Sequence, residues 1–320
     1  MTRNYGRLSS GESPFKKRKS GEVEDQRGTG LYEEVTDRIV RELEQGRVPW
    51  VQPWGPAKAA LGLPKNAATS RSYSGINVLI LWGAVIEQGF PTQQWLTFRQ
   101  ALAVGGHVLR GERGTTVCYA DRFTPKSEVE RVAREGGEPD SVPFLKRFTV
   151  FNVAQCDGLP EHVLTSAPAT PEREAISEAE AVITASLADF RIGGDKAFYV
   201  PTEDYIRVPP QPAFFHQIDY YRTCFHELGH WTGHPSRLNR DLSGRINSNP
   251  YAREELVAEM ASAFVCATLG IVPTVRHADY LGAWLDVLKE DARAIFRAAG
   301  QAAKASNFLL RKPQIVTETE

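Results

Sequence analysis

Apolar residues recur every four positions at Leu31, Val35, Ile39 and Leu43, with charged side chains between them. That period lays one stripe along one face of a helix, and Gly46 suits its end. A second helix is expected from a cap at Ser74 through Ile76, Leu79, Leu81 and Val85. Thr97 and Gln100 have capping-box spacing, which predicts a short helix over 98–104 ended by Gly105-Gly106. Two β-rich runs follow, Thr115–Ala120 and Phe148–Val153, and the charged stretch 126–140 between them reads as an exposed loop. Further on, 176–190 reads as helix, 197–200 and 205–208 as short strands bounded by Pro201 and Pro209, and 213–233, 250–269 and 277–310 as longer helices.

The pattern lapses twice. Residues 1–30 hold almost no large apolar side chains, so they read as a disordered tail. Its basic run, Lys16 to Lys19, offers weak electrostatic help in holding nucleic acid. Residues 157–175 carry three prolines and little periodicity, and read as a linker. The chain is therefore expected to be α+β, with a mixed domain over 31–156 and a mainly helical one over 176–320.

Composition narrows the class. With 42% hydrophobic and 24% charged residues the chain is neither disordered throughout, nor collagen-like, nor a coiled coil. Lys plus Arg number 38 against 39 acidic residues, which excludes a globally basic coat on nucleic acid but leaves room for a local patch. Cys118, Cys156, Cys224 and Cys266 stand too far apart for a CxxC site and are expected to be reduced, mostly buried thiols. The longest apolar run, Val78–Ile86, is about half of what a bilayer requires. No signal-like stretch opens the chain, so a cytoplasmic protein with no membrane partner is expected. No phosphate-binding glycine motif occurs.

The chemistry concentrates in His226-Glu227-Leu228-Gly229-His230. On a helix, positions i and i+4 share a face, so His226 and His230 can point two imidazoles at one ion. Glu227 sits at the edge of that face, where its carboxylate can reach a metal-bound water without being a ligand. A catalytic zinc needs a third protein ligand and an open fourth position. His234 is an alternative ligand, but Ser236 stands where the longer HExxHxxGxxH pattern has its third histidine. Better placed are Glu255 and Glu259, one turn apart beside the apolar seam Leu256, Met260, Ala263 and Ala267. A carboxylate that close to a core is costly unless something satisfies it. Glu255 as third ligand, with Glu259 holding a ligand histidine through its free ring N–H, satisfies both, although the two roles can be exchanged. This is a gluzincin arrangement, suited to peptide hydrolysis with Glu227 as general base. His234, Tyr205, Tyr221 and Arg253 are the candidate donors to an oxyanion. Zn2+ is the expected ion, with Mn2+ or Co2+ as alternatives.

A second constellation lies in residues 47–122, where eight basic residues face three acidic ones, a net of +5, and four of the six tryptophans occur. Cations that track phosphates and aromatic faces that stack bases are what single-stranded nucleic acid requires. The candidates are Trp50, Trp54, Lys65, Arg71, Tyr73, Asn77, Arg110 and Arg113, whereas Trp82 lies in an apolar helix and reads as core.

Together the halves resemble the ArdC family of plasmid antirestriction proteins. In the first half the resemblance rests on Val48-Pro49-Trp50, Pro53-Trp54, Arg71 to Asn77, Trp95 to Ala101, Gly105-Gly106, Gly111-Glu112 and Val150 to Val153. These residues are similar to the family's single-stranded-DNA-binding domain, which also precedes the primase part of some TraC-type proteins. In the second half it rests on Gly194 to Tyr199, Phe225 to Gly233, Arg237 to Arg240 and Tyr251 to Glu259, similar to the family's zincin-like metallopeptidase domain. The resemblance implies single-stranded DNA as a partner, protection of plasmid DNA from restriction during conjugation, and a metal-dependent second domain. Two functions follow as expectations: a DNA-tethered zinc peptidase acting on an unidentified host protein, a restriction-system component being one candidate, or a DNA coat whose metal site is structural.

Overall fold

The computed structural model describes residues 21–51, 62–164, 172–244, 248–273 and 280–311. In chain order these form α1 (Gly21–Glu44), β1 (Lys65–Asn66), α2 (Ile76–Gln88), β2 (Gln94–Thr97), α3 (Phe98–Ala103), β3 (His107–Val108), β4 (Thr115–Phe123), α4 (Lys126–Glu135), β5 (Val142–Asn152), β6 (Cys156–Asp157) and α5 (Glu161–Leu164). The second half supplies α6 (Glu172–Ser186), β7 (Asp189–Ile192), β8 (Phe198–Val200), β9 (Tyr205–Val208), α7 (Gln217–Trp231), α8 (Asn249–Thr268), α9 (Leu281–Glu290) and α10 (Ala294–Leu309). The protein is α+β, as the hydropathy pattern implies.

The N-terminal lobe is built on a four-stranded sheet of order β1-β2-β5-β4, with β4 and β5 a long antiparallel hairpin. The C-terminal lobe holds the sheet β7-β9-β8 against α7, with α8 sandwiched between α7 and α10. One hydrophobic core crosses the lobes: Leu31, Ile39, Trp50, Val78 and Leu79 pack with Leu256, Met260, Trp284 and Ile295. Trp50 and Trp284 meet edge to face at 5.5 Å, and Trp82 meets Phe264 in the same way at 5.8 Å. The four cysteines are free thiols, three of them buried.

Several elements depart from the hydropathy reading. The helix ahead of Leu31 starts at Gly21, inside the stretch read as a disordered tail, because Glu22, Glu24, Gln26 and Arg27 are good helix formers that need no apolar stripe; residues 1–20 lie outside the described residues. Ser74 does not cap α2; Gly75, at φ 59°, holds that position. The Thr97–Gln100 capping box forms as expected. The stretch read as a loop contains α4, which buries no side chain and relies on helix formers and the Glu128–Arg131 pair. Part of the stretch read as a linker is ordered: β6 pairs with β3, and Leu159 and Val163 are buried against Leu96 and Ala101. Residues 165–171 lie outside the described residues. Phe190 belongs to β7, paired in parallel with β9, rather than to the preceding helix. The last predicted helix is two, broken at Asp291, whose backbone is extended.

Candidate metal centre and nucleic-acid residues

α7 is amphipathic. Tyr221, Cys224, Phe225, Leu228 and Trp231 face the C-terminal core, which turns His226, Glu227 and His230 the other way, into a cleft of about 240 Å³. The neighbouring α8 is apolar nearly all round and buried along most of its length, so Glu255 and Glu259 are carried inside with it. Gly229 sets the spacing of the two helices. A Cβ there would lie 3.0 Å from Ala258 Cα and 3.2 Å from its carbonyl oxygen. A helix-interior glycine costs up to about 1 kcal/mol relative to alanine; here its bare backbone admits the close crossing.

The crossing brings His226, His230 and Glu255 together. Their Nε2 atoms lie 3.2 Å apart, and each is 3.5 Å from a different oxygen of Glu255. A tetrahedral ion with bonds of about 2.0–2.1 Å spaces its donors about 3.3–3.4 Å apart, so this triangle fits one. Two imidazoles and one carboxylate suit Zn2+ and also take Mn2+ or Co2+. Glu259 Oε1 stands 3.8 Å from His226 Nδ1, behind the ligand face. The geometry thus separates the two glutamates: Glu255 on the donor face, Glu259 behind it.

His230 has a support that sequence reasoning missed. Its Nδ1 lies 3.3 Å from Glu254 Oε1, and Arg240 grips both oxygens of Glu254 at 3.0 and 2.7 Å. Arg240 also donates to Thr232 Oγ1 at 2.9 Å and to the Gly229 carbonyl at 2.6 Å. The signals in the sequence were the Glu254-Glu255 doublet and the run Arg237 to Arg240. Burial by itself would push His230 down, but the carboxylates of Glu254 and Glu255 outweigh it and raise it to about 10. Burial would raise Glu255, and the two imidazoles hold it well below the carboxylate range instead.

Glu227 is buried and lines the cleft with Tyr199 and Tyr251. His234 is not part of the donor cluster: α7 has ended, and its Nδ1 bonds Ser236 Oγ at 2.8 Å. The other proposed oxyanion donors also sit elsewhere. Tyr221 is buried, donating to Glu180 at 2.6 Å, Tyr205 stacks under Arg191, and Arg253 does not line the cleft. The cleft's phenols are Tyr251, whose hydroxyl lies 3.4 Å from that of Tyr280, and Tyr199, which donates to Asp204 at 2.8 Å. Arg237 clamps Asp204 and stacks on Trp231, tying the loop after β8 to the end of α7.

The nucleic-acid candidates of the first half scatter. Trp50 is fully buried against Trp284 and presents no face to a base, because the C-terminal helices cover it. Tyr73 is half-buried beside Leu81 and Trp95, and burial raises its hydroxyl pKa. Asn77 spends its amide on the backbone of Cys118, accepting at 2.8 Å and donating at 2.7 Å, which ties α2 to β4. Lys65, Arg71, Arg110 and Arg113 are exposed. Arg113 borders a hollow of about 800 Å³ between α1, α2 and the 111–116 loop. Trp54 lies outside the described residues. Among the described residues no helix is long and apolar enough to cross a membrane.

Comparison with known proteins matches residues 29–151 to the N-terminal domain of anti-restriction factor ArdC and residues 177–301 to a zincin-like metallopeptidase family. The crystal structure of metal-free antirestriction ArdC from plasmid R388 superposes with a TM-score of 0.73 at 39% identity, covering 87% of this chain and 96% of that one. Its Mn(II)-bound form gives 0.72 at 38% identity over the same shares. An uncharacterized protein of Sinorhizobium fredii, y4eC, is 37% identical over 88% of this chain and 92% of its own length. DNA primase TraC of Escherichia coli is 39% identical over 88% of this chain, which spans 27% of the primase's length.

Proposed function

This chain belongs to the ArdC antirestriction family, and we propose that it binds single-stranded DNA through its N-terminal lobe and hydrolyses a peptide bond of a host protein in the α7–α8 cleft. The observation that carries the peptidase reading is the triangle of His226, His230 and Glu255 with buried Glu227 beside it. Three protein donors leave a coordination position open, as a catalytic site requires. A divalent ion held there would polarise a carbonyl and bring the pKa of a water to about 7.

Glu227 then takes the water's proton on its carboxylate and later delivers it to the leaving amine. Glu255, His226 and His230 would hold the ion, with Glu259 and Glu254 behind the rings. β8 is the edge strand of its sheet, and Ala197, Phe198 and Tyr199 line the cleft. An extended polypeptide can therefore add along that edge across from the helix, which supports a protein substrate over a small one.

Glu227→Gln is the test. It should retain the metal and the fold while lowering hydrolysis by about 10²–10⁴-fold. Under this reading the variant loses protection in a conjugation assay and no longer truncates a host protein in a survey of cleavage products. Full protection by the variant would instead support a DNA-coating protein with a structural metal.

A further inference from the structure

Trp50 is buried and Tyr73 half-buried, so the exposed aromatics of the first lobe acquire weight in the DNA reading. Two of them meet on the β4–β5 hairpin. Tyr119 is 48% exposed and Phe148 46%, with ring centroids 6.0 Å apart and planes at 89°. The register pairs Val117 with Phe148 and Tyr119 with Lys146, so all four project from one face. Strand alternation adds Phe123, 45% exposed, to that face.

On the opposite face Cys118 is buried, Leu145 packs against the core shared by the lobes, and Arg147 bonds Glu34 of α1 at 2.7 Å. At its start the outward face is covered, with Val117 and Val150 under Leu81, Val85 and Trp95. Beyond that point come the aromatic pair and exposed Lys146.

We infer that Tyr119 and Phe148, with Lys146 beside them, form the base-stacking platform for single-stranded nucleic acid. The inference rests on the DNA-binding reading proposed above. Aromatic faces joined to a cation are what a single strand requires, and the binding does not depend on sequence because every base has a π-face. The cation beside the rings is Lys146, Arg147 being turned to Glu34 on the opposite face, and residues 47–122 of this half carry eight basic against three acidic groups. The two rings are perpendicular and 6.0 Å apart. A fully stacked strand advances about 3.4 Å per nucleotide, so the platform suits a strand whose bases are splayed.

The test titrates the full-length protein into a fluorescent thymidine oligonucleotide, following anisotropy at several salt concentrations. Tyr119→Ala/Phe148→Ala should weaken binding at least about tenfold while the salt slope is kept. Lys146→Ala should lower the magnitude of that slope by about one. Both variants should keep the melting temperature and metal uptake of the unmodified protein. Unchanged oligonucleotide affinity in the aromatic double variant overturns the platform. So does sedimentation showing that the unmodified protein self-associates and the double variant does not, with equal DNA affinity in both: the face would then be a protein contact. If the unmodified protein binds no oligonucleotide at all, the DNA reading itself fails and takes the platform with it.

Discussion

The candidate metal centre and the N-terminal lobe handle polar side chains in opposite ways. Around His226 and His230, three glutamates and an arginine are drawn into a helix crossing and cross-braced at distances of 2.7–3.8 Å. In the first lobe, Lys65, Arg71, Arg110 and Arg113 stand in solvent, and the ion pairs among its charges, such as Arg38–Glu87 and Arg147–Glu34, are exposed. Exposed pairs contribute about 0–1 kcal/mol each, whereas a buried carboxylate left alone costs several. A site for a small ion needs donors fixed before it arrives. A surface for a long polyanion needs only cations within reach of phosphates.

The comparison can be broken by mutation, and the largest effect should come from the donors themselves. His226→Ala and His230→Ala should abolish stoichiometric metal uptake, read by elemental analysis. They should also remove the rise in melting temperature that metal gives the stripped protein, a stabilisation of about 2.7 kcal/mol at 100 times the dissociation constant. Trp50→Ala should come next, destabilising the whole chain by about 3–5 kcal/mol in denaturant unfolding. If Trp50 served DNA instead, affinity would fall with stability intact.

Glu254→Gln should weaken metal binding by about 10–100-fold, measured by chelator competition, and affinity within twofold of the unmodified protein would make Glu254 a bystander. Gly229→Ala should cost about 1–3 kcal/mol, because the added methyl meets Ala258 backbone in a packed crossing. The smallest effect belongs to Arg110→Ala or Lys65→Ala: stability unchanged, and the salt slope of DNA binding lower by about one each.

The convergence of His226, His230 and Glu255 was legible because helical period fixes the relations within each helix. Four residues separate His226 from His230 and Glu255 from Glu259, and each pair shares a face wherever its helix lies. Glu254 was invisible in its role because its meaning depends on Arg240, delivered by the loop between the two helices. Trp50 misled for a related reason. Its neighbours in sequence are polar and irregular, and what buries it is Trp284, from the far end of the chain. The helix over 126–135 escaped because its apolar face is short, Val129, Val132 and Ala133, none of them buried, among seven polar or charged residues.

The seam where Trp50 meets Trp284 also limits how such a gene can be rearranged. A recombination that kept one lobe and discarded the other would strand Leu31, Ile39 and Trp50 on one fragment, or Leu256, Met260 and Trp284 on the other, as a raw sticky patch. The lobes must therefore be inherited as a pair or redesigned where they touch, and the match to the much longer TraC primases indeed takes in 88% of this chain.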